Sequence, residues 1–152
     1  MTVIVWDGIT LATDRLASDG VNKWEAEKAW YYSQAGQRII LSGYGTAKDI
    51  LILIEWYKAG AILDMFPHDA DAVLIAVDDK GLHRYERIPY PMTHGYKLCA
   101  FGQGSDLAYG ALAMGADARQ AVEVANRYSL FCGLGVDEYT LHESKLTKGE
   151  AR

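Results

Sequence analysis

The feature that most constrains this chain is an Asp-Gly pair at positions 7 and 8, between two runs rich in β-branched residues. A two-residue turn of this kind needs residues that tolerate positive φ, as Asp and Gly do. The pattern predicts a hairpin with strands over residues 2–6 and 9–13. Because so short a loop fixes the register, Asp14 is expected to return to the level of the chain start, beside Thr2.

Thr2 becomes the N-terminal residue if Met1 is removed, and a threonine is small enough for methionine trimming. A free α-amine beside a threonine hydroxyl forms a nucleophile that carries its own base. The alternative is that the terminus is only the first strand of a sheet. Without further motifs, the residues are more typical of that ordinary strand.

Composition limits the class of protein. The chain has 152 residues, of which 50% are hydrophobic and 23% are charged, as in one soluble globular domain. A net charge of −5 argues against a nucleic-acid or membrane-surface partner. No signal-like segment or membrane-spanning apolar run is recognised. Two cysteines without metal-ligand spacing and four scattered histidines predict no metal or cofactor, and favour a reducing cytoplasm.

Hydrophobic periodicity and turn residues predict the remaining elements. The expected order is a polar loop over 16–24, strands over 28–32 and 38–42, a helix over 47–60, strands over 72–77, 82–86 and 96–101, helices over 105–114 and 118–128, a strand over 136–142, and a polar tail from about 143. Thr46, Ser105 and Asp117 are expected to cap the helices. The first helix is apolar over so much of its girth that it should be covered on more than one side. Locally paired strands and late helices predict an α+β fold in a single domain over residues 1–152.

Five short motifs then carry a resemblance. They are Thr2-Val-Ile-Val, Ala12-Thr-Asp-Arg15, Gly43-Tyr-Gly-Thr-Ala47, Phe101-Gly-Gln-Gly-Ser105 with Leu107-Ala-Tyr-Gly-Ala111, and Gly133-Leu-Gly-Val-Asp137. In this order the chain resembles proteasome-type β subunits, especially the bacterial HslV peptidase and its short phage and prophage relatives. The resemblance implies the N-terminal nucleophile hydrolase fold, a four-layer α-β-β-α sandwich, and assembly into rings whose active sites face an inner chamber.

The resemblance also assigns roles to residues of this chain. It makes Thr2 the nucleophile, and Asp14 the buried carboxylate that orients a lysine. Lys28, at the head of an aromatic strand, fits that lysine better than Lys23, which lies in the polar loop. An ammonium close to Thr2 would lower the pKa of the hydroxyl and of the free amine. The alternative is an ordinary surface ion pair between Asp14 and either lysine.

The oxyanion hole is implied at the backbone N–H of Gly45, with Gly43 shaping the pocket for the substrate side chain and Trp30 forming one wall. Glycine suits such donors because it permits close approach. A roomy apolar pocket would favour cleavage after bulky apolar residues. Gln103, Ser105 and Ser129 complete the residues placed around the substrate and the amine. The alternative for the two glycines is a helix-entry turn that needs positive φ.

Two departures from the family pattern bear on activity. Gln103 stands where the family has a serine, and Ser129-Leu-Phe-Cys-Gly replaces Asp-x-x-Ser-Gly. Cys132 is interpreted as a small buried thiol rather than as a second nucleophile. A retained Met1 would block the amine and silence the site.

The expected protein is a cytoplasmic, ring-forming threonine peptidase that cleaves unfolded polypeptide through an acyl-enzyme. It would need no cofactor and would be supplied by a separate ATP-driven unfoldase. One alternative is a ring-forming structural or interaction subunit that keeps the fold but lacks activity. Another is a nucleophile hydrolase that acts on a small amide.

Overall fold

The computed structural model of the chain describes residues 2–142. Met1 and the predicted polar tail from about residue 143 lie outside the described residues. In chain order the elements are β1 (Val3–Trp6), β2 (Thr10–Asp14), β3 (Leu16–Ser18), β4 (Lys23–Glu25), β5 (Ala29–Gln34), β6 (Gln37–Gly45), α1 (Ala47–Lys58), a 3-10 turn (Leu63–Met65), β7 (Ala72–Asp78), β8 (Gly81–Glu86), β9 (Met92–Gly95), β10 (Cys99–Gly102), α2 (Ser105–Ala113), α3 (Ala118–Tyr128) and β11 (Val136–Thr140). Among these residues, no helix is both long and apolar enough to cross a membrane.

The described chain divides into two compact units, one formed by residues 2–29 and 96–142 and the other by Trp30–Gly95. The first unit contains a four-stranded antiparallel sheet and the small β3–β4 hairpin, the second contains one five-stranded antiparallel sheet, and each unit has its own helices. This content agrees with the predicted α+β class.

The first unit is a four-stranded sheet in the order β10-β1-β2-β11, with α2 and α3 packed on one face. Side chains alternate across a strand, so Val3 and Val5 of β1 point to the helices. There they contact small residues, among them Ala108, Ala121 and Ala125, which allow helix and sheet to approach closely. All four residues of β1 are buried, which places the start of the chain in the core rather than on an edge.

The first hairpin forms, but its loop lies one residue later than predicted. Asp7 donates its N–H to the Thr10 carbonyl, so Gly8 and Ile9 are the loop residues, and Ile4 lies opposite Thr13. The cause is the Asp7 carboxylate, whose Oδ1 accepts the N–H groups of Ile9 and Thr10 at 2.9 and 2.7 Å. Gly8 takes the positive φ, at +94°, as suits the first loop position of a tight hairpin.

The structure has strands in two segments where the sequence predicted none. The stretch predicted as a loop over 16–24 contains β3 and most of β4, paired with Leu16 opposite Glu25. The segment after Pro91 adds β9, the outer strand beside β8. β4 and β9 are short and contain no fully buried residue, so they lack the apolar alternation by which strands are recognised in a sequence.

The second unit is a five-stranded sheet in the order β5-β6-β7-β8-β9, with α1 on one face. Leu53, Ile54 and Trp56 of α1 pack into a core with residues of β6 and β7. Part of the apolar surface of α1 remains exposed to solvent, since Leu51 and Ile52 are 54% and 40% exposed. The prediction that α1 is covered on more than one side therefore fails for this chain by itself.

Two of the predicted helix starts differ in detail from the structure. The N-cap of α2 is Gly104 rather than Ser105, and Thr46 precedes α1 without a side-chain capping bond. Asp117 caps α3 as predicted and forms a capping box with Gln120. The first N–H of α3, from Ala118, also binds the Asp7 carboxylate at 2.9 Å, which ties the first hairpin to the last helix.

Candidate active site

The buried carboxylate of Asp14 is the centre of the site. Its side chain has no exposure to solvent, and its two oxygens accept five hydrogen bonds. The donors to Oδ1 are the Lys28 ammonium at 2.7 Å, the Val3 N–H at 3.1 Å and the Thr2 hydroxyl at 3.2 Å. Those to Oδ2 are the N–H groups of Gly133 at 3.2 Å and Leu16 at 3.3 Å. A buried charge is tolerated only when it is paired and fully hydrogen-bonded, and Asp14 meets both conditions.

The hairpin of β3 and β4, which the sequence did not predict, brings Lys28 to Asp14. β3 begins at Leu16, two residues after Asp14, and Leu16 pairs with Glu25 at the end of β4. The Ala26 N–H then donates to the Arg15 carbonyl at 2.8 Å, which holds the returning chain beside Asp14. Lys28 follows two residues later, with only 12% of its side chain exposed.

The two candidate lysines occupy different environments. Lys28 forms the ion pair with Asp14, whereas Lys23 is an exposed residue at the far end of the β3–β4 hairpin, opposite Ser18. The pair is not an ordinary surface ion pair, because Asp14 is fully buried and Lys28 nearly so. A catalytic role for Lys28 stays a prediction. Its ion pair with the buried Asp14 and its low exposure are what we expect of a lysine that is oriented by that carboxylate.

Thr2 itself is 93% buried, since its side chain and backbone lie against the loop that joins β10 to α2. The Gly104 N–H donates to the Thr2 carbonyl at 3.2 Å. Gly102 has a φ of +94°, and a Cβ at this position would overlap the Thr2 carbonyl oxygen and lie 2.8 Å from the Thr2 Cγ2. Gly102 therefore allows a close approach to Thr2 that other residues would prevent.

The segment after α3 contacts the Oδ2 atom of Asp14 through the Gly133 N–H. Cys132 is buried, and burial, followed by the charge of Asp14, raises the pKa of its thiol, while hydrogen bonding from Ser129 partly offsets the rise. A thiol with a raised pKa is a poor nucleophile, in agreement with its interpretation as a small buried residue. The next residue, Gly133, donates its N–H to Asp14 and accepts the Arg15 N–H at 3.0 Å.

The other predicted site residues are placed as follows. Gln103 is exposed, Ser105 is half-buried at the start of α2, and the Ser129 hydroxyl accepts the Phe131 N–H at 3.1 Å. Gly43 and Gly45 lie in the second unit, at the end of β6. Their part in an oxyanion hole stays a prediction.

Packing within the second unit is enough to require both of these glycines. A Cβ at Gly43 would lie 2.7 Å from the Val73 carbonyl oxygen, and one at Gly45 would lie 2.6 Å from that of Asp71. Gly45 also has a φ of +115°.

Three of the five donors to Asp14 were missed from the sequence, because they are backbone N–H groups. The N–H groups of Val3, Leu16 and Gly133 leave no trace in residue type, although Gly133 lies within a motif that was recognised. Gly102 and Gly104 also lie within a recognised motif, and their spacing around Gln103 was the available signal.

The chemistry open to this arrangement is that of a positioned hydroxyl. An ionised carboxylate only accepts hydrogen bonds, so the Thr2 hydroxyl proton points to Asp14, and the oxygen lies close to the Lys28–Asp14 ion pair. Within residues 2–142 no cluster of three or more His, Cys, Asp or Glu side chains could hold a metal ion.

No protein-family model matches the chain, and no curated protein matches its sequence. Solved structures match its fold. BPH of Thiobacillus denitrificans, in complex with epoxomicin, is 20% identical with a TM-score of 0.65, and the alignment covers 93% of this chain and 99% of BPH. The eukaryotic HslV of Trypanosoma brucei is 16% identical with a TM-score of 0.63, over 91% of this chain and 97% of HslV. A mutant of Anbu from Hyphomicrobium sp. strain MC1 is 16% identical with a TM-score of 0.68, over 92% of this chain and 82% of Anbu.

These similarities define the class of fold. The chain has the N-terminal nucleophile hydrolase fold of the proteasome β-subunit and HslV type, as the sequence motifs predicted. At identities of 16–21% the similarity concerns the fold, and the activity has to be argued from the site itself.

Proposed function

We propose that this protein is a threonine peptidase whose nucleophile is the hydroxyl of Thr2, with the α-amine freed by removal of Met1. The observation that carries the proposal is the fully buried Asp14, which accepts the Thr2 hydroxyl and the Lys28 ammonium on the same oxygen. A buried ion pair is costly to maintain, and its contact with the hydroxyl of the second residue gives it a chemical use.

The proposed reaction is acyl transfer. The α-amine, directly or through a water molecule, takes the proton of the Thr2 hydroxyl as its oxygen attacks the carbonyl carbon of a peptide bond. The C–N bond then breaks, the leaving amine takes up the proton, and an ester joins the acyl half of the substrate to Thr2. Water hydrolyses this ester and regenerates the hydroxyl. The role of Lys28 is to favour the ionised form of the nucleophile and the neutral form of the amine by its positive charge.

The remaining roles follow the family resemblance. The Gly45 N–H is the proposed donor to the oxyanion, and Gly43 the residue that leaves room for the substrate side chain. Gln103, Ser105 and Ser129 are the proposed polar groups near the substrate and the amine. The proposed substrate is unfolded polypeptide, cleaved after bulky apolar residues.

The proposed assembly is a ring of identical subunits that encloses the sites and is supplied by an ATP-dependent unfoldase in the cytoplasm. Large exposed apolar side chains support self-association, among them Leu51 and Ile52 on α1 and Leu130 after α3, which is 89% exposed. A heterologous contact that closes on itself would cover such surfaces in every subunit.

The second candidate is a subunit that keeps the fold and assembles but has no activity. Ser129 in place of a carboxylate and the exposed Gln103 favour it, because both alter the polar groups expected near the amine. A third candidate, hydrolysis of a small amide, uses the same nucleophile and differs only in substrate.

The test is covalent labelling. BPH of Thiobacillus denitrificans has been solved in complex with epoxomicin, so the purified chain is treated with this epoxyketone and analysed by intact and peptide mass spectrometry. We expect loss of Met1 and one adduct on the N-terminal peptide. Thr2→Ala should remove the adduct, and Thr10→Ala, at the far end of the same hairpin, should keep it. A labelled Thr2→Ala protein would refute the assignment, and an unreactive chain that has lost Met1 would favour the inactive subunit.

A further inference from the structure

Cys132 lies between the two backbone segments that hold Thr2 and Asp14. On one side its sulfur packs onto Gly104, where an added Cβ would lie 2.7 Å from the Cys132 Sγ. The N–H of Gly104 is the donor to the Thr2 carbonyl. On the other side Cys132 is bonded to Gly133, whose N–H is a donor to the Asp14 carboxylate.

We propose that Cys132 is a positioning residue, whose side-chain volume sets the spacing between the segment that holds Thr2 and the segment that holds Asp14. The inference rests on the proposed function for its effect on catalysis, because it concerns how the nucleophile and the carboxylate are held together. In this proposal Cys132 acts through Gly104, on which its sulfur packs, and through Gly133, to which it is bonded.

The site leaves little room for change at this position. A Cβ added to Gly104 would also lie 2.9 Å from the Val3 Cβ and 3.2 Å from the Ala125 Cβ. Cys132, Val3 and Ala125 therefore all pack closely against Gly104. Packed interiors respond to an added methyl group by moving backbone rather than by absorbing it. A larger side chain at 132 must therefore displace Gly104, Gly133 or both.

The thiol suits a role based on volume rather than on acid–base chemistry. Its pKa is raised by burial and by Asp14, so it remains neutral near pH 7 and adds no charge beside the Lys28–Asp14 pair. Serine is of similar size and also neutral, so it should support the same spacing, whereas valine adds a branch against Gly104.

The experiment compares Cys132→Val with Cys132→Ser, and uses Cys99→Val as the matched control. Cys99 is the other buried thiol, on β10 opposite Trp6, at the end of the first sheet away from Thr2. We expect Cys132→Val to lower kcat for a peptide substrate by about a hundredfold with KM unchanged, since a displacement of about 1 Å in a catalytic group has this effect. Cys132→Ser should keep kcat within about tenfold of the wild-type value, and Cys99→Val should not change it.

A second measurement does not depend on activity. Hydrogen exchange, followed by mass spectrometry, reports on the peptides that carry the backbone N–H groups of Gly104 and Gly133. Cys132→Val should speed their exchange at least about tenfold, because the hydrogen bonds that protect them are lengthened, while Cys99→Val should leave them protected.

The two measurements separate this inference from the proposed function. If the wild-type protein has no turnover, the proposed function fails, but faster exchange in Cys132→Val alone still supports the positioning role. If Cys132→Val and Cys99→Val have equal effects on exchange, or if Cys132→Val retains full kcat in an active protein, the positioning role is overturned.

Discussion

Replacing Lys28 by methionine tests the central contact of the site. The substitution keeps most of the length of the side chain and removes its charge, so Asp14 remains buried without its ion-pair partner. Removing one partner of a buried pair costs about 3–5 kcal/mol of the free energy of unfolding, because the other charge is left uncompensated.

The structure places the expected value at the lower end of that range. After the substitution Asp14 still accepts four hydrogen bonds, three of them from the backbone N–H groups of Val3, Leu16 and Gly133. Such donors stabilise the ionised form of a carboxylate and replace part of the lost interaction. We therefore expect Lys28→Met to lower the free energy of unfolding by about 3 kcal/mol, measured by urea denaturation at a fixed protein concentration.

The same substitution should lower kcat at least about a hundredfold, the smaller effect expected when a group that assists proton transfer is lost. Lys23→Met is the matched control, since Lys23 is exposed in the same hairpin segment and should change neither quantity measurably. Lys28→Arg retains the charge in a larger, planar group, and should recover stability more than kcat. Equal effects of Lys28→Met and Lys23→Met would refute the argument, as would full turnover in Lys28→Met.

Three further predictions follow from the structure. Gly102→Ala places a Cβ against the Thr2 carbonyl at a φ of +94°, so it should lower the free energy of unfolding by at least about 2 kcal/mol and slow epoxomicin labelling. Gly110→Ala is the control: its Cβ would meet no neighbouring atom within 4 Å, so it should stabilise α2. Burial raises the pKa of Tyr57 to about 12, so the folded protein keeps this proton when the unfolded chain loses it near pH 10. The free energy of unfolding should therefore fall as pH rises from about 10 to 12, and Tyr57→Phe should make this fall less steep. Light scattering should give a mass many times 16.8 kDa, and a stable monomer at micromolar concentration would contradict the ring.

The hairpin shows what local sequence could and could not predict. The Asp-Gly pair correctly located a tight turn, and the level of Asp14 near Thr2 followed from it. The loop itself was placed one residue early, because the pattern gives the turn residues but not the hydrogen bonds of Asp7, one of which comes from Ala118 at the other end of the chain. A side chain that serves a distant helix cannot be assigned from its neighbours alone.

The environment of Asp14 could be predicted only in part. The resemblance named Thr2, Asp14 and Lys28, and these three side chains do lie together. The hairpin that positions Lys28 was missed because each of its strands has only three residues, too few to show a period of apolar residues. The backbone donor at Gly133 is 119 residues away from Asp14 along the chain, and no local pattern specifies such a contact.

These contacts explain how a fully buried carboxylate is held in one position. Four of the five donors to Asp14 come from segments adjacent to it in the first sheet or in the chain, and only Lys28 carries charge. The neutral donors hold the carboxylate in place, so the position of the ammonium is set by a group that is itself fixed from several directions. In the proposed mechanism this support keeps Lys28 within the small positional tolerance that acyl transfer requires. Because the same carboxylate is bonded to the first sheet and to Lys28, a substitution that displaces Asp14 is expected to reduce both the stability and, under the proposed function, the turnover.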